Sequence, residues 1–114
     1  MAEDTPVFAQ YQRLKDEHPG EVLFFRLGDF YEMFDSDADE VSRLLNLTLT
    51  HRADRHMCGI PYHASKIYIA RLLRLGKKIA IAEQIGEIAR GKGLTERKVV
   101  EVITPGTAVE SEYL

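Results

Sequence analysis

Phe30, Tyr31 and Glu32 follow a Gly28-Asp29 pair inside a run, Phe24 to Phe34, that holds four of the chain's five phenylalanines. Two apolar runs parted by Gly-Asp predict a β-hairpin with a tight primed turn. On a strand, Phe30, Glu32 and Phe34 share one face while Tyr31 and Met33 share the other. A core has little use for a carboxylate between two phenylalanines, whereas a flat ring beside a hydrogen-bonding acid suits contact with a partner. A packing reading also exists: Asp29-x-x-Glu32 mimics a capping box if a helix begins at Phe30. A helix would turn Phe30 and Glu32 roughly 200° apart, so only an extended segment offers both to one partner. On the residues alone both readings stay open.

Other groupings carry less. Gly86-Glu-Ile-Ala-Arg-Gly91-Lys92-Gly93 approaches a phosphate-binding loop, but Gly93 stands where the magnesium-holding hydroxyl belongs. A strand pattern also follows where a helix is required. Asp29, Glu32 and Lys78 are the only set from which a metal-dependent nuclease could be assembled, and alternation puts Asp29 in the turn rather than beside Glu32. His51 and His56 lie five apart in a charged loop without further ligands, which argues against zinc. Asp37, Asp39 and Glu40 read as a solvated first helical turn that complements the dipole. Cys58 reads as a small apolar filler. No nucleophile, metal site or cofactor site is expected, and the chain is not expected to be an enzyme.

The elements that must hold the hairpin follow from periodicity. Thr5-Pro6 starts a helix whose Val7, Phe8, Tyr11, Leu14 and His18 recur at helical spacing until Pro19-Gly20. After strands Val22–Leu27 and Phe30–Phe34, Ser36 is expected to cap a helix with its stripe at Ala38, Val41, Leu44 and Leu45. Leu47–Thr50 alternates as a strand, His51–His56 is a polar loop, and Met57–Pro61 is a short extended segment. A helix is expected from His63 to Leu75, capped by Gly76. Lys78–Glu83 reads as a central strand, 85–93 as irregular or partly helical, and Lys98–Thr104 as the last strand before Pro105-Gly106. The expected fold is α+β: a mixed β-sheet with an N-terminal hairpin, flanked by helices through α/β-like connections.

At 114 residues and 45% hydrophobic content the chain suits one globular domain. No apolar run approaches membrane-spanning length, and one cysteine suits a reducing cytosol. The net charge of −3 hides an asymmetry: residues 1–50 carry −7, residues 51–100 carry +7, and the last fourteen residues add three acids. That distribution allows a basic surface on an acidic protein, although folding can also mix the two halves.

Five motifs in order then carry a resemblance. They are Thr5-Pro6 with Gln10-Tyr11; Phe25-Arg26-Leu27-Gly28-Asp29-Phe30-Tyr31-Glu32; Gly59-Ile60-Pro61-Tyr62-His63-Ala64; Ala82-Glu83-Gln84; and Val102-Ile103-Thr104-Pro105-Gly106-Thr107. Together they span nearly the whole chain, which resembles the N-terminal mismatch-binding domain of the MutS family of DNA mismatch-repair proteins. The resemblance implies that Phe30 and Glu32 are the family's Phe-x-Glu reader of mismatched or bulged duplex DNA. In that family the phenylalanine enters the minor groove and stacks on a mispaired base, and the glutamate hydrogen-bonds that base. His63 matches a position that contacts the DNA backbone in relatives, while Lys66 and Arg52 are expected phosphate contacts from the charge distribution alone.

The resemblance further implies one mismatch-recognition domain over 1–104 and an exit segment over 105–114 toward a connector domain. ATP and magnesium belong to an ATPase domain of the full-length family protein, outside this chain. Partners would be mismatched double-stranded DNA, the rest of the MutS chain and a dimer partner, in a bacterial cytoplasm close to the nucleoid. Some relatives lack the Phe-x-Glu pair and use the domain for architecture. An architectural or protein-interaction role is therefore the competing expectation.

Overall fold

Alternation in the aromatic run decides the layering of the molecule. The structure is a computed structural model that describes residues 5–86 and 94–107, apart from the side chain of Thr5. Val22–Leu27 forms β1 and Phe30–Phe34 forms β2, antiparallel, with Phe25 opposite Glu32 and Leu27 opposite Phe30. Gly28 turns the corner at φ +60°, a value that a primed turn asks of its first central residue and that glycine adopts without strain. Four further strands are β3 (Thr50–Arg52), β4 (Arg55–Pro61), β5 (Ile79–Gln84) and β6 (Arg97–Ile103). They complete one sheet in the order β3-β4-β2-β1-β5-β6, antiparallel except for the parallel pair β1–β5. This is the mixed sheet of an α+β fold, as the sequence leads one to expect.

Each face of the sheet buries its own core. Phe24, Tyr31, Met33, Ile60, Ile79 and Ile81 face α2 (Asp35–Leu45) and α3 (Ser65–Arg74), whose Val41, Ile69 and Leu72 complete the larger cluster. On the reverse face, Leu23, Phe25, Phe34, Ala80 and Ala82 meet Tyr11 and Leu14 of α1 (Thr5–Glu17). Alanines on β5 suit the bulk opposite them, where the Tyr11 ring packs edge-on against Phe25 and Phe34 at 5.5 and 4.9 Å. Burying a phenylalanine contributes about 1.5–3 kcal/mol, so these rings anchor both strands of the hairpin. The smaller core ends before Phe30 and Glu32, which continue the same face of β2 without belonging to it.

Several expectations need correction. The strand placed at Leu47–Thr50 begins only at Thr50, and the polar loop 51–56 is a hairpin whose β3 pairs Arg52 with Arg55. Alternating Leu and Thr marked strand propensity, but β4 pairs only from Thr50 onward. Ser36 does not cap α2: the helix starts at Asp35, with Phe34 in the cap position and no side-chain cap bond. Asp37 is not solvated. It is 7% exposed, accepts a hydrogen bond from the Leu23 amide at 3.0 Å and pairs with Lys15 at 3.0 Å. The β1–β2 pairing ends at Phe25–Glu32, so beyond it the carboxylate takes the Leu23 N–H instead. The helix expected from His63 opens as a 3-10 turn over Tyr62–Ala64 and becomes α-helical at Ser65. Its end conforms: Gly76 at φ +86° donates to Leu73 O, and Lys77 to Leu72 O, both at 3.0 Å, which is a Schellman cap.

Candidate nucleic-acid interface

Phe30 opens β2 immediately after the turn and is 45% exposed, the only exposed phenylalanine among the described residues. Because the segment is a strand, Phe30 and Glu32 project from the same face, and the capping-box reading falls away. Gly59 of β4 sits opposite Glu32, and a Cβ there would lie 3.6 Å from Phe30 Cδ1 and 3.8 Å from Glu32 Cγ. The glycine therefore forms the floor between the ring and the acid. Pro61 pairs beside Phe30 itself.

Glu32 is more enclosed than the ring, with 12% of its side chain exposed. Arg52, at the end of β3, reaches its Oε1 at 3.4 Å. Arg97, at the start of β6, supplies a second positive charge to the carboxylate. The two arginines differ in constraint. Arg97 is buried, with its guanidinium donating to Arg26 O at 2.9 Å and Thr95 O at 2.6 Å and stacked 5.2 Å from the Phe25 ring centre. The Arg52 side chain is 33% exposed. Burial raises the proton affinity of Glu32 above its usual 4.5, and the charge and hydrogen bond of Arg52 oppose that rise without cancelling it. Burial likewise weakens the hold of Arg97 on its proton. The net direction for the acid is tighter proton binding, despite two neighbouring cations.

The back of the hairpin tip is clamped from the opposite face. Arg26 donates to Gly28 O at 2.6 Å and to Glu83 at 2.9 Å, and its guanidinium lies 3.7 Å from the centre of the Tyr62 ring. The Tyr31 hydroxyl donates to the other Glu83 oxygen. The Tyr62 amide donates to Asp29 O at 2.7 Å, tying the segment after β4 to the turn itself. A charged stack of this kind is worth about 0.5–2 kcal/mol, and charge-assisted hydrogen bonds about 1.5–3 kcal/mol each. β2 is also an inner strand, paired along both edges.

Of the expected backbone contacts, only Arg52 joins Phe30 and Glu32 on one face. His63 and Lys66 line a cleft of about 330 Å³ with Tyr31, Tyr62, Glu83 and Glu101, on the α3 side of the sheet. The nuclease set is dispersed. The carbonyl of Lys78 bonds the Val22 amide at the start of β1, while Asp29 sits in the turn beyond its end, about 20 Å away at strand rise. His51 and His56 stack edge to face at 5.2 Å, and His56 pairs with Asp39. No group of three potential metal ligands gathers among the described residues. Residues 87–93 of the near-match to a phosphate loop lie outside the described residues. Arg26, Gly59 and Tyr62 enter the sequence reasoning only as motif residues, without these contacts, and Arg97 does not enter it. Arg97 had a signal, since it begins a strand whose alternation puts it on the Glu32 face, but only strand order shows that the two come close.

On one face the sheet holds an exposed ring beside an acid that lies between two arginines. Residues 5–112 match the family model described as MutS domain I, and the chain belongs to that family. It is similar to the DNA mismatch repair protein MutS of Treponema denticola, 68% identical over 110 residues, which is 96% of this chain and 12% of that protein. The MutS proteins of two strains of Treponema pallidum, one of them the Nichols strain, are each 57% identical over 114 residues, all of this chain and 13% of theirs. The chain therefore spans only 12–13% of the length of these curated relatives. No helix among the described residues is long and apolar enough to cross a membrane.

Proposed function

We propose that this domain is the mismatch-reading module of a MutS-type repair protein. It binds mismatched or bulged duplex DNA by inserting Phe30 from the minor groove and hydrogen-bonding the displaced base through Glu32. One observation carries the reading: an exposed ring on a clamped inner strand, on the same face as a half-screened acid. A wedge unstacks a base step at a cost of a few kcal/mol, less where pairing is already faulty. Stacking on the ring returns roughly 1–3 kcal/mol for any base. The difference between faulty and sound duplexes then gives discrimination without a base code. A protonated Glu32 donates to a base acceptor, which a carboxylate cannot do. Arg52 would meet phosphates on the Phe30 face, and His63 and Lys66 those that wrap past Tyr62. ATP and magnesium chemistry, the connector and the dimer partner belong, in this reading, to the rest of a longer cytoplasmic protein.

The test compares binding of the chain to a T-bulge duplex and its paired control, with Phe30→Ala alongside. Loss of stacking should weaken bulge binding by about 5- to 150-fold, the equivalent of roughly 1–3 kcal/mol, and leave paired binding nearly unchanged. Since the ring is only half hidden, the same change should lower stability by about 1 kcal/mol. Equal affinities of the variant and the parent for both duplexes would favour the architectural role instead.

A further inference from the structure

Glu32 already gives one carboxyl oxygen to an arginine, so a base that takes the acid competes with that contact for its charge and orientation. Its carboxyl is bonded by Arg52 at 3.4 Å, a long contact, from a side chain that keeps a third of its surface in solvent. Arg97 stands on the other side, tied to two carbonyls and a ring, so it cannot follow Glu32 or leave it. Gly59 leaves the floor beneath the acid without a side chain. Of the two cations, only the one on the short β3 strand, at the rim of the sheet, has a solvent-facing path.

We propose that Arg52 is a specificity-determining residue that holds Glu32 in the DNA-free domain and exchanges it for a DNA phosphate when the base takes the acid. The proposal rests on the assignment of Glu32 as base reader. The exchange gives Arg52 an anionic partner in both states, so the hand-over never leaves it without a counter-charge. It also couples two contacts that would otherwise be independent: the acid reaches the base only as the arginine reaches the backbone. Sound duplex, which offers the acid no displaced base, leaves the pair closed or opens it without return. Arg52 therefore acts on discrimination as well as on affinity. The fixed Arg97 keeps one positive charge beside the site throughout.

The experiment is a double-mutant cycle on the whole chain: parent, Arg52→Ala, Glu32→Gln and the double variant. Each is titrated by NMR with a T-bulge duplex and its paired control, so that the weak affinities of a small module, about 10⁻⁴–10⁻⁶ M for non-specific contacts, are within range. The bulge titrations are repeated at several salt concentrations. Expected are a fall of about 0.9 in the salt slope on Arg52→Ala, the signature of one lost phosphate contact, and a coupling confined to the bulge. With Glu32 present, Arg52→Ala should cost at least threefold less bulge affinity than in the Glu32→Gln background, because the parent also loses a competitor for the acid. Arg52→Lys should keep the slope, which separates charge from any loss of folding. An unchanged slope, or costs that are additive on both duplexes, would overturn the exchange. Phe30→Ala serves as the separate check: an unaltered bulge preference in that variant would refute the reading of the hairpin itself, whatever the cycle shows.

Discussion

Gly59 offers a test in which two substitutions at one position should move in opposite directions. A methyl there would stand 3.6 Å from Phe30 Cδ1, 3.8 Å from Glu32 Cγ and 3.8 Å from the Tyr31 carbonyl oxygen. Carbon contacts of about 3.5–4.0 Å are at the van der Waals optimum. Gly59 has no positive φ and sits in a paired strand, so alanine meets no backbone strain. Gly59→Ala should therefore stabilise the chain by about 0.4–1 kcal/mol, chiefly by restricting the unfolded state. For a domain of about this size that is a rise of roughly 2–8 °C in Tm. Bulge preference should survive, since the ring keeps its place. Gly59→Leu adds branches beyond that first carbon, where Phe30 and Glu32 already fill two sides. The extra carbons either push the ring and acid apart, at about 1–3 kcal/mol of overpacking, or stand on the surface between them. Both outcomes should remove the preference for bulged over paired DNA. Urea unfolding gives the stabilities and paired titrations give the preference. Destabilisation by alanine, or intact preference with leucine, would refute the placement of Gly59 as the floor of the site.

Three further outcomes follow from the geometry. Glu32 holds its proton more tightly folded than unfolded, so stability should fall as pH rises from about 4.5 through the raised value; Glu32→Gln should flatten that dependence in urea unfolding between about pH 4 and pH 7. A parent stability that rises with pH across the Glu32 window relative to the variant would contradict the assignment of burial as the dominant cause. Asp37→Ala should cost about 3–5 kcal/mol by stranding Lys15 and the Leu23 amide, and Asp37→Asn less, since the amide oxygen still accepts from Leu23; equal losses in thermal melts would count against this. Arg26→Gln should cost about 2 kcal/mol or more and speed hydrogen exchange at the Tyr62 amide, which caps Asp29; exchange at the parental rate would show that the clamp does not brace the turn.

The hairpin was legible because its signals are local. Gly28 permits the turn, and alternation sorts the aromatics around it onto the two faces. The end of α3 was legible for the same reason, since Gly76 acts within a few residues of the helix it stops. What escaped depends on strands far apart in sequence. Arg97 approaches Glu32 because β6 lies two strands from β1 on the same face, and nothing in Glu96-Arg97-Lys98 announces that neighbour. Asp37 reads from sequence as a solvated dipole partner, but it accepts the Leu23 N–H beyond the last β1–β2 pair, a contact between residues fourteen apart. Leu47–Leu49 has strand chemistry but no partner strand, and pairing decided against propensity. At the site, residue types raised Phe30 and Glu32 as one of two readings, the family resemblance assigned them a role, and charge raised Arg52. That Glu32 and Arg52 touch is visible only in three dimensions.

The clamp behind Gly28 and Asp29 bears on what the proposed encounter measures. Two elastic bodies pressed together share the deformation in proportion to their softness. If Phe30 rode on a loose loop, a stiff duplex would simply push it aside, and the contact would report the protein. Seated on an inner strand whose turn is bolted through Arg26, Glu83 and Tyr62, the ring yields little. Nearly all of the compliance then lies in the DNA, whose stiffness depends on its sequence and pairing. In that proposed encounter the domain would act as a hard indenter, and what it would record is the mechanical softness of the base step beneath it.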